Sequence, residues 1–266
     1  MNAKDILVGL SLPISARVDQ RVPKKLFLEN GTPTAADKRL LTDSIQEIQW
    51  IAALKPNTIG VPEYRDTQRE YLEIALLEVT LRGQVKPGGK SRLAELLHRA
   101  VPYPLFLVMI DGETLELSVA HKRWAQNDAD KVVLDGDVVT ASLIEKMAMA
   151  PNAPVPVDPT TIESAFISSM AVSRQPQTNL YDLYQGWIDR LITLKAAILT
   201  GRYCVPLSPE QAAARRQALV DCERLEAEIS RLRHQAAKEK QLARQVELNL
   251  TMKDVQTKLA AARRLI

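Results

Sequence analysis

The chain has 266 residues, of which 46% are hydrophobic and 25% charged, and its formal net charge is +3. That length suits one sizeable domain plus a smaller unit, and so mild a basicity does not by itself call for nucleic acid. No run of about 20 uncharged apolar residues is present, which excludes a spanning helix, and Met1-Asn2-Ala3-Lys4-Asp5 lacks the pattern of a signal peptide, so a cytoplasmic protein without membrane contact is expected.

In chain order, Asp5 to Leu12 reads as a short helix stopped by Pro13. Arg17, Arg21, Lys24 and Lys25 then place four cations within nine positions, the most basic patch of the N-terminal half. Thr34 followed by Asp37 is a helix start, and Leu41, Ile45, Ile48 and Ala52 continue it at helical spacing to Pro56. Thr58 to Val61, between Pro56 and Pro62, reads as a short strand. Glu70 to Leu81 alternates and then runs apolar, the pattern of a strand with a buried middle.

Lys86 to Lys90 reads as a loop, with Ser91 capping a helix from Arg92 to Ala100. Leu105 to Ile110 is the next strand, so this stretch is a strand-helix-strand unit with parallel pairing. Asp111-Gly112 is a hairpin turn, with Glu113 to Ala120 returning. Lys131 to Leu134 and Asp137 to Leu143, turned at Asp135-Gly136, read as a further hairpin.

Four prolines between Ala148 and Pro159 mark a linker. A short helix opens at Thr160 or Thr161. A longer one, capped by Asn179 and ended by Gly201, carries a stripe of Leu180, Leu183, Trp187, Leu191, Leu194 and Ile198.

From Ser208 onward the chain has no glycine and only Pro209, and Ser208-Pro209-Glu210 starts a helical arm. The arm holds twelve basic and eight acidic residues, which accounts for the whole positive excess. Ala218, Cys222, Leu225, Ile229, Leu232 and Ala236 form a coiled-coil seam. Its continuation meets Glu239, Ala243, Val246 and Leu250 and fails at Lys253, while Leu248, Met252, Val255, Leu259, Ala262 and Ile266 form a second seam. The two registers differ by two residues, about 200° around one helix. Either one continuous helix presents two faces, or Lys238-Glu239-Lys240 turns a hairpin whose halves bury each other's seams. The lack of Gly, Pro, Asp or Ser at that point favours the continuous helix.

No constellation announces a reaction. A metal-dependent nuclease of the mixed-sheet type needs an acid and then Glu-x-Lys on adjacent strands; Glu73 and Glu78 are followed by Ile74-Ala75 and Val79-Thr80, with no lysine. His98, His121 and His234 are too scattered for a zinc site, and no Cys-x-x-Cys occurs. Cys204 and Cys222 read as buried thiols. Gly88-Gly89-Lys90-Ser91 resembles the end of a phosphate-binding loop, but its first glycine would fall at Gln84. No metal and no cofactor is expected. Arg17, Arg21, Lys24 and Lys25, together with Lys122, Arg123 and Trp124, are the candidate nucleic-acid contacts, because cations beside an aromatic suit phosphate and base. Leu225, Ile229, Leu232, Leu248, Met252, Val255 and Leu259 are the candidate partner-binding residues of the arm.

Five stretches carry a family resemblance: 21–31 (RVPKKLFLENG), 70–74 (EYLEI), 99–105 (RAVPYPL), 120–123 (AHKR) and 245–249 (QVELN). They resemble a bacterial domain-of-unknown-function family, numbered four-three-nine-one. The resemblance spans nearly the whole chain and implies a genomic setting beside DNA helicases and DNA methyltransferases in phage-defence islands, but no catalytic residues.

The expected fold is α+β: a mixed-sheet domain over 1–147, a linker at 148–159, a helical segment at 160–207 and a coiled-coil arm at 208–266. The expected function is that of a non-catalytic accessory subunit in a helicase or methyltransferase defence system, with contacts made through the arm and self-association open. A nucleic-acid-binding module is the alternative, and a degenerate nuclease a further one.

Overall fold

The structure, a computed structural model, describes residues 3–31, 34–83, 85–126, 128–144 and 159–266. The expected linker falls outside these residues except for Pro159. The described residues divide into two compact units, with the boundary after Leu194.

The first unit is built on a six-stranded mixed sheet. Its elements begin with α1 (Ala3–Gly9), β1 (Arg17–Arg21), α2 (Lys24–Asn30), α3 (Ala35–Ser44), β2 (Ile45–Leu54) and α4 (Pro56–Ile59). They continue with β3 (Tyr64–Arg65), β4 (Glu70–Tyr71), β5 (Ile74–Leu81), α5 (Pro87–Ala100), β6 (Leu105–Asp111), β7 (Thr114–Ala125) and β8 (Asp128–Ile144). Next come α6 (Pro159–Ser169) and α7 (Leu180–Thr200). The sheet order is β1-β2-β5-β6-β7-β8, and β3 and β4 form a separate two-stranded ribbon. Every neighbouring pair in the large sheet is antiparallel except β5 and β6, which the α5 crossover joins in parallel. The strand-helix-strand unit and the Asp111-Gly112 hairpin therefore stand as expected, with Gly112 at φ 60 in the turn.

Alternation along the strands separates two apolar layers. Ala75, Leu77, Val79 and Leu81 of β5 join Leu105, Leu107 and Met109 of β6 in a core closed by Phe27 of α2, Leu41 of α3 and Leu93, Leu96 and Leu97 of α5. The intervening residues face the other way. Leu76 is paired with Phe106, and Phe106 meets Trp187 of α7 edge-on at 5.1 Å. Trp187 is fully buried and donates its indole N–H to the Met170 carbonyl at 2.9 Å. Tyr184, one turn away, ties the helix to the sheet: its hydroxyl donates to the Leu105 carbonyl at 2.7 Å and accepts the Ala120 N–H at 2.9 Å. Asn179 caps α7 by accepting the Asp182 N–H, and Gly201, at φ 76, follows its last turn.

Several local expectations are corrected. The helix opened by the Thr34–Asp37 capping box stops at Ser44, and Ile45, Ile48 and Ala52 lie on β2. Bulges at Ile45/Glu47 and Trp50/Ala52 interrupt the two-residue alternation, so buried positions fall three and four apart and imitate a helix. Thr58 is in the short helix α4, ended by left-handed Gly60, and not in a strand. Glu70 to Leu81 is two strands broken at Leu72-Glu73. The helix α5 starts at Pro87, which suits a first helical position, so Gly88-Gly89-Lys90 is helical and not a loop. Asp135-Gly136 is a bulge within the single strand β8, where the register passes from Val119↔Val139 to His121↔Asp135 and Gly136 takes φ 83.

The second unit contains α8 (Pro209–Lys238) and α9 (Leu242–Arg263). Ser208 caps α8 through the Gln211 N–H at 3.3 Å. The continuous helix is overturned: the chain turns at residues 239–241, and α8 and α9 form an antiparallel hairpin. Glu239 Oε1 accepts the N–H groups of Lys240 and Gln241, and Arg263 reaches back to Glu226 at 2.8 Å. Cys222, Leu225, Ile229 and Leu232 of α8 bury themselves against Val255 and Leu259 of α9, flanked by Leu248, Met252, Ala262 and Ile266. Among the described residues no helix is long and apolar enough to cross a membrane.

Because Trp187 fills the layer between α7 and β6 and has its only polar atom satisfied, Trp187→Ala should destabilise the protein by about 3–5 kcal/mol. Urea unfolding followed by circular dichroism checks this; a loss below about 1 kcal/mol would show that the layer collapses around the gap.

Candidate functional site

β7 carries His121, Lys122 and Arg123, and its alternation sends them to two faces. On the α7 face, His121 Nδ1 lies 2.5 Å from the Tyr71 hydroxyl and Nε2 lies 2.8 Å from Gln185 Oε1. Tyr181, in the first turn of α7, stacks on both His121 (4.8 Å) and Tyr64 (5.0 Å). Arg69 stands over the Tyr181 ring at 5.7 Å and grips Asp135 through Nε at 3.0 Å and Nη2 at 2.6 Å. Arg123 approaches the same carboxylate at 3.5 Å. Burial pushes the Tyr71 phenol well above its ordinary range, so it stays a neutral hydrogen-bonding group. The result is a patch of four aromatic rings, buried Tyr71 with half-buried Tyr64, His121 and Tyr181, edged by guanidinium groups. Stacked rings beside cations can hold a planar group such as a base.

On the opposite face, the Lys122 ammonium is turned inward, donating to the carbonyls of His98 (2.6 Å) and Val101 at the end of α5. Burial pushes Lys122 down to about 7. His98, fully enclosed, meets Ser118 Oγ at 3.1 Å, and burial followed by the Lys122 charge pushes it down to about 3. Toward the start of α5, Lys90 pairs with Asp111 at 2.6 Å. Burial, ahead of the repulsion from Asp111, raises the nearby Glu116 carboxyl.

The candidate nucleic-acid residues are therefore dispersed. Lys122 is closed off beneath α5. Lys24 is also engaged, donating to the Thr42 and Ile45 carbonyls. Arg17 and Arg21 are on edge strand β1, paired with Asp19 (3.9 Å) and Glu47 (3.5 Å), and Lys25 pairs with Glu29 along α2. Only Arg123, with half-buried Trp124 next to it, joins the aromatic patch. Leu225, Ile229, Leu232, Val255 and Leu259 are occupied by one another inside the hairpin, with Leu248 and Met252 at its edge, so this seam is not what the arm offers to a partner.

Two arrangements were missed in sequence. Glu78 has its acidic neighbour on the adjacent strand: the pairs Gln49↔Glu78 and Glu47↔Thr80 put Glu47 and Glu78 on one face. Partial burial, then the Glu47 charge, raises Glu78. Glu73 lies outside β5 and pairs with Lys55 at 2.9 Å. Thr80 stands where a Glu-x-Lys lysine would be, and among the described residues no three metal-ligating side chains converge. The second is an apolar hollow of about 200 Å³ lined by Val22, Phe27, Trp50, Leu77, Val101 and Tyr103. Two-residue alternation around His121 and Lys122 was the signal that could have separated the basic cluster. Nothing local announced Tyr64, Arg69, Asp135 and Tyr181 as one group.

The His98 shift gives a signed pH dependence. Its folded value, about 3, is below the unfolded value near 6.5, so the unfolded chain binds the extra proton between these limits and stability falls as pH drops through that window. Lowering pH from 7 to 5 should cost about 2 kcal/mol through this residue. His98→Gln should flatten the fall in urea midpoint between those pH values; an unchanged fall would assign it to other groups.

No curated protein and no solved structure matches the chain. A family model does, over residues 10–259, which takes in the sheet, the described helices α6 and α7 and most of the hairpin. The chain belongs to the family described as Domain of unknown function (DUF4391).

Proposed function

We propose that this chain is a non-catalytic accessory subunit of a bacterial anti-phage system built around a DNA helicase, a DNA methyltransferase or both, and that it works through protein contacts of its C-terminal hairpin. The observation that carries this reading is what the hairpin leaves over. With both seams buried, α9 still holds Leu242, Val246 and Leu250 in water at intervals of four residues. Apolar side chains lined up on one helix face are a contact surface. The helicase and methyltransferase setting comes from the resemblance of residues 21–31, 70–74, 99–105, 120–123 and 245–249. Co-expression with the neighbouring helicase and methyltransferase should give a complex that survives purification, and a chain ending at Leu207 should lose both partners while its sheet unit keeps its circular dichroism. Retention of both by the shortened chain would overturn the reading.

The aromatic patch favours a second reading, a nucleic-acid-binding module. Tyr181 stacked on Tyr64 and His121, with Arg69 above it and exposed Arg65 on the same ribbon, supplies rings and cations together. On this reading, fluorescence anisotropy with labelled single-stranded DNA shows binding that weakens steeply with salt, and Tyr64→Ala weakens it about fivefold or more. An unchanged anisotropy at low salt would remove it.

A further inference from the structure

The side of α8 turned away from α9 is basic. Arg231, His234 and Lys238 each stand two positions after a buried seam residue, Ile229, Leu232 and Ala236, which is about 200° around the helix. Arg224 and Ala227 extend the same line from Cys222 and Leu225, and all five are exposed. From Arg224 to Lys238, the last residue of α8, this line holds no acidic residue and no apolar side chain larger than alanine.

Charge along the arm is uneven. Residues 230–246, around the turn, hold five Arg or Lys and a single Glu, whereas the rest of the arm from Ser208 holds seven basic and seven acidic residues. Those acids are engaged locally: Asp221 with Arg224 at 3.2 Å, Glu223 with Lys195 at 2.7 Å, Glu226 with Arg263 at 2.8 Å and Asp254 with Lys258 at 2.8 Å. Glu228 lies beside Lys258 as well. Glu239 is turned to the N–H groups of Lys240 and Gln241. Arg231, Arg233, Lys238 and Lys240 are left without an ion-pair partner among the described residues.

Unneutralised cations on a projecting helix end suit a polyanion, and duplex DNA carries about one negative charge per 1.7 Å of its axis. Its major groove, about 12 Å wide, admits one α-helix between two walls of phosphate. Arg231 and Arg233 leave α8 in directions about 160° apart, so they reach phosphates on opposite walls, which a flat anionic surface does not offer to both. The deep, narrow major groove of duplex RNA does not admit the helix. A helix lying on a membrane needs large apolar side chains beside its cations, and the line from Arg224 to Lys238 has none.

We propose that the outer face of α8 binds duplex DNA, with the end of the helix in the major groove and Arg231, Arg233, Lys238 and Lys240 on phosphates, while α9 stacks behind it outside the groove. This goes beyond the reading of the hairpin as a protein-contact element, which uses the apolar residues of α9, and it involves no residue of the aromatic patch.

The test is fluorescence anisotropy of the full chain with a labelled DNA duplex of about two helical turns. Binding should weaken steeply as salt rises. Arg231→Glu should weaken it about tenfold or more, and Arg231→Gln should lower the slope of log affinity against log salt by about one. Arg264→Glu makes the same charge change beyond the other end of α9 and should leave affinity within about twofold. Tyr64→Ala should leave duplex affinity unchanged, which separates this surface from the aromatic patch. Circular dichroism shows that each variant keeps its helices. Absence of duplex binding at low salt, equal losses from Arg231→Glu and Arg264→Glu, or duplex RNA bound as tightly as duplex DNA would each overturn the proposal. So would sedimentation with phosphatidylserine vesicles by a chain that ignores the duplex.

Discussion

The parallel contact between β5 and β6 is the constraint from which most of the first unit follows. Two parallel strands need a crossover between them, and both must be covered on both faces because their side chains alternate between apolar layers. Ala75, Leu77 and Val79 require α5 above them, while Leu76 and Phe106 require Trp187 and Tyr184 of α7 below. Covering one face alone would leave a row of large apolar side chains in water, at about 1.5–3 kcal/mol each. The segment from Leu180 to Leu194 is thus integral to the sheet domain, although it lies beyond the proline-rich stretch. A domain boundary drawn at that stretch followed composition, whereas the core extends across it to Leu194.

The same alternation decides which polar groups can act together. His121 and Arg123 point to the side where Tyr71, Arg69 and Asp135 converge, and Lys122 points to the end of α5. The last carbonyls of a helix lack intrahelical partners, and a lysine from the strand below satisfies those of His98 and Val101. Lys122 is therefore a structural hydrogen-bond donor, and its charge, where present, adds to the burial that keeps His98 neutral. A run of basic residues that looked like one binding surface is divided by the sheet into a buried strut and an aromatic edge.

How far the sequence could be read depended on whether the deciding interaction was local. The Thr34–Asp37 box, the Asn179 cap, the Asp111-Gly112 turn and the β5–α5–β6 unit were legible because neighbouring residues specify them. β2 was not, because two bulges shift its buried positions into a helical spacing and only pairing with β1 and β5 makes it a strand. The aromatic patch joins residues from 64 to 185 and the Glu47–Glu78 pair joins two strands, so neither leaves a mark in any one window of sequence.

The hairpin shows the same dependence with energies that can be weighed. Breaking a 55-residue helix at Glu239 forfeits about four backbone hydrogen bonds, each worth ~0.5–1.5 kcal/mol net. Glu239 returns two of them by accepting the N–H groups of Lys240 and Gln241, a service that the side-chain oxygen of Asp, Asn or Ser would ordinarily supply. Against that small loss, folding back covers Leu225, Ile229, Leu232, Val255 and Leu259 at ~1.5–3 kcal/mol each. The absence of turn residues was therefore a weaker signal than the displacement of the two seams. Apolar residues shifted by about 200° cannot face one neighbour along a straight helix, but they face each other once the chain reverses. What the reversal cannot use is the continuation of the first seam, Val246 and Leu250 with Leu242 beside them. It remains exposed on the outside of α9.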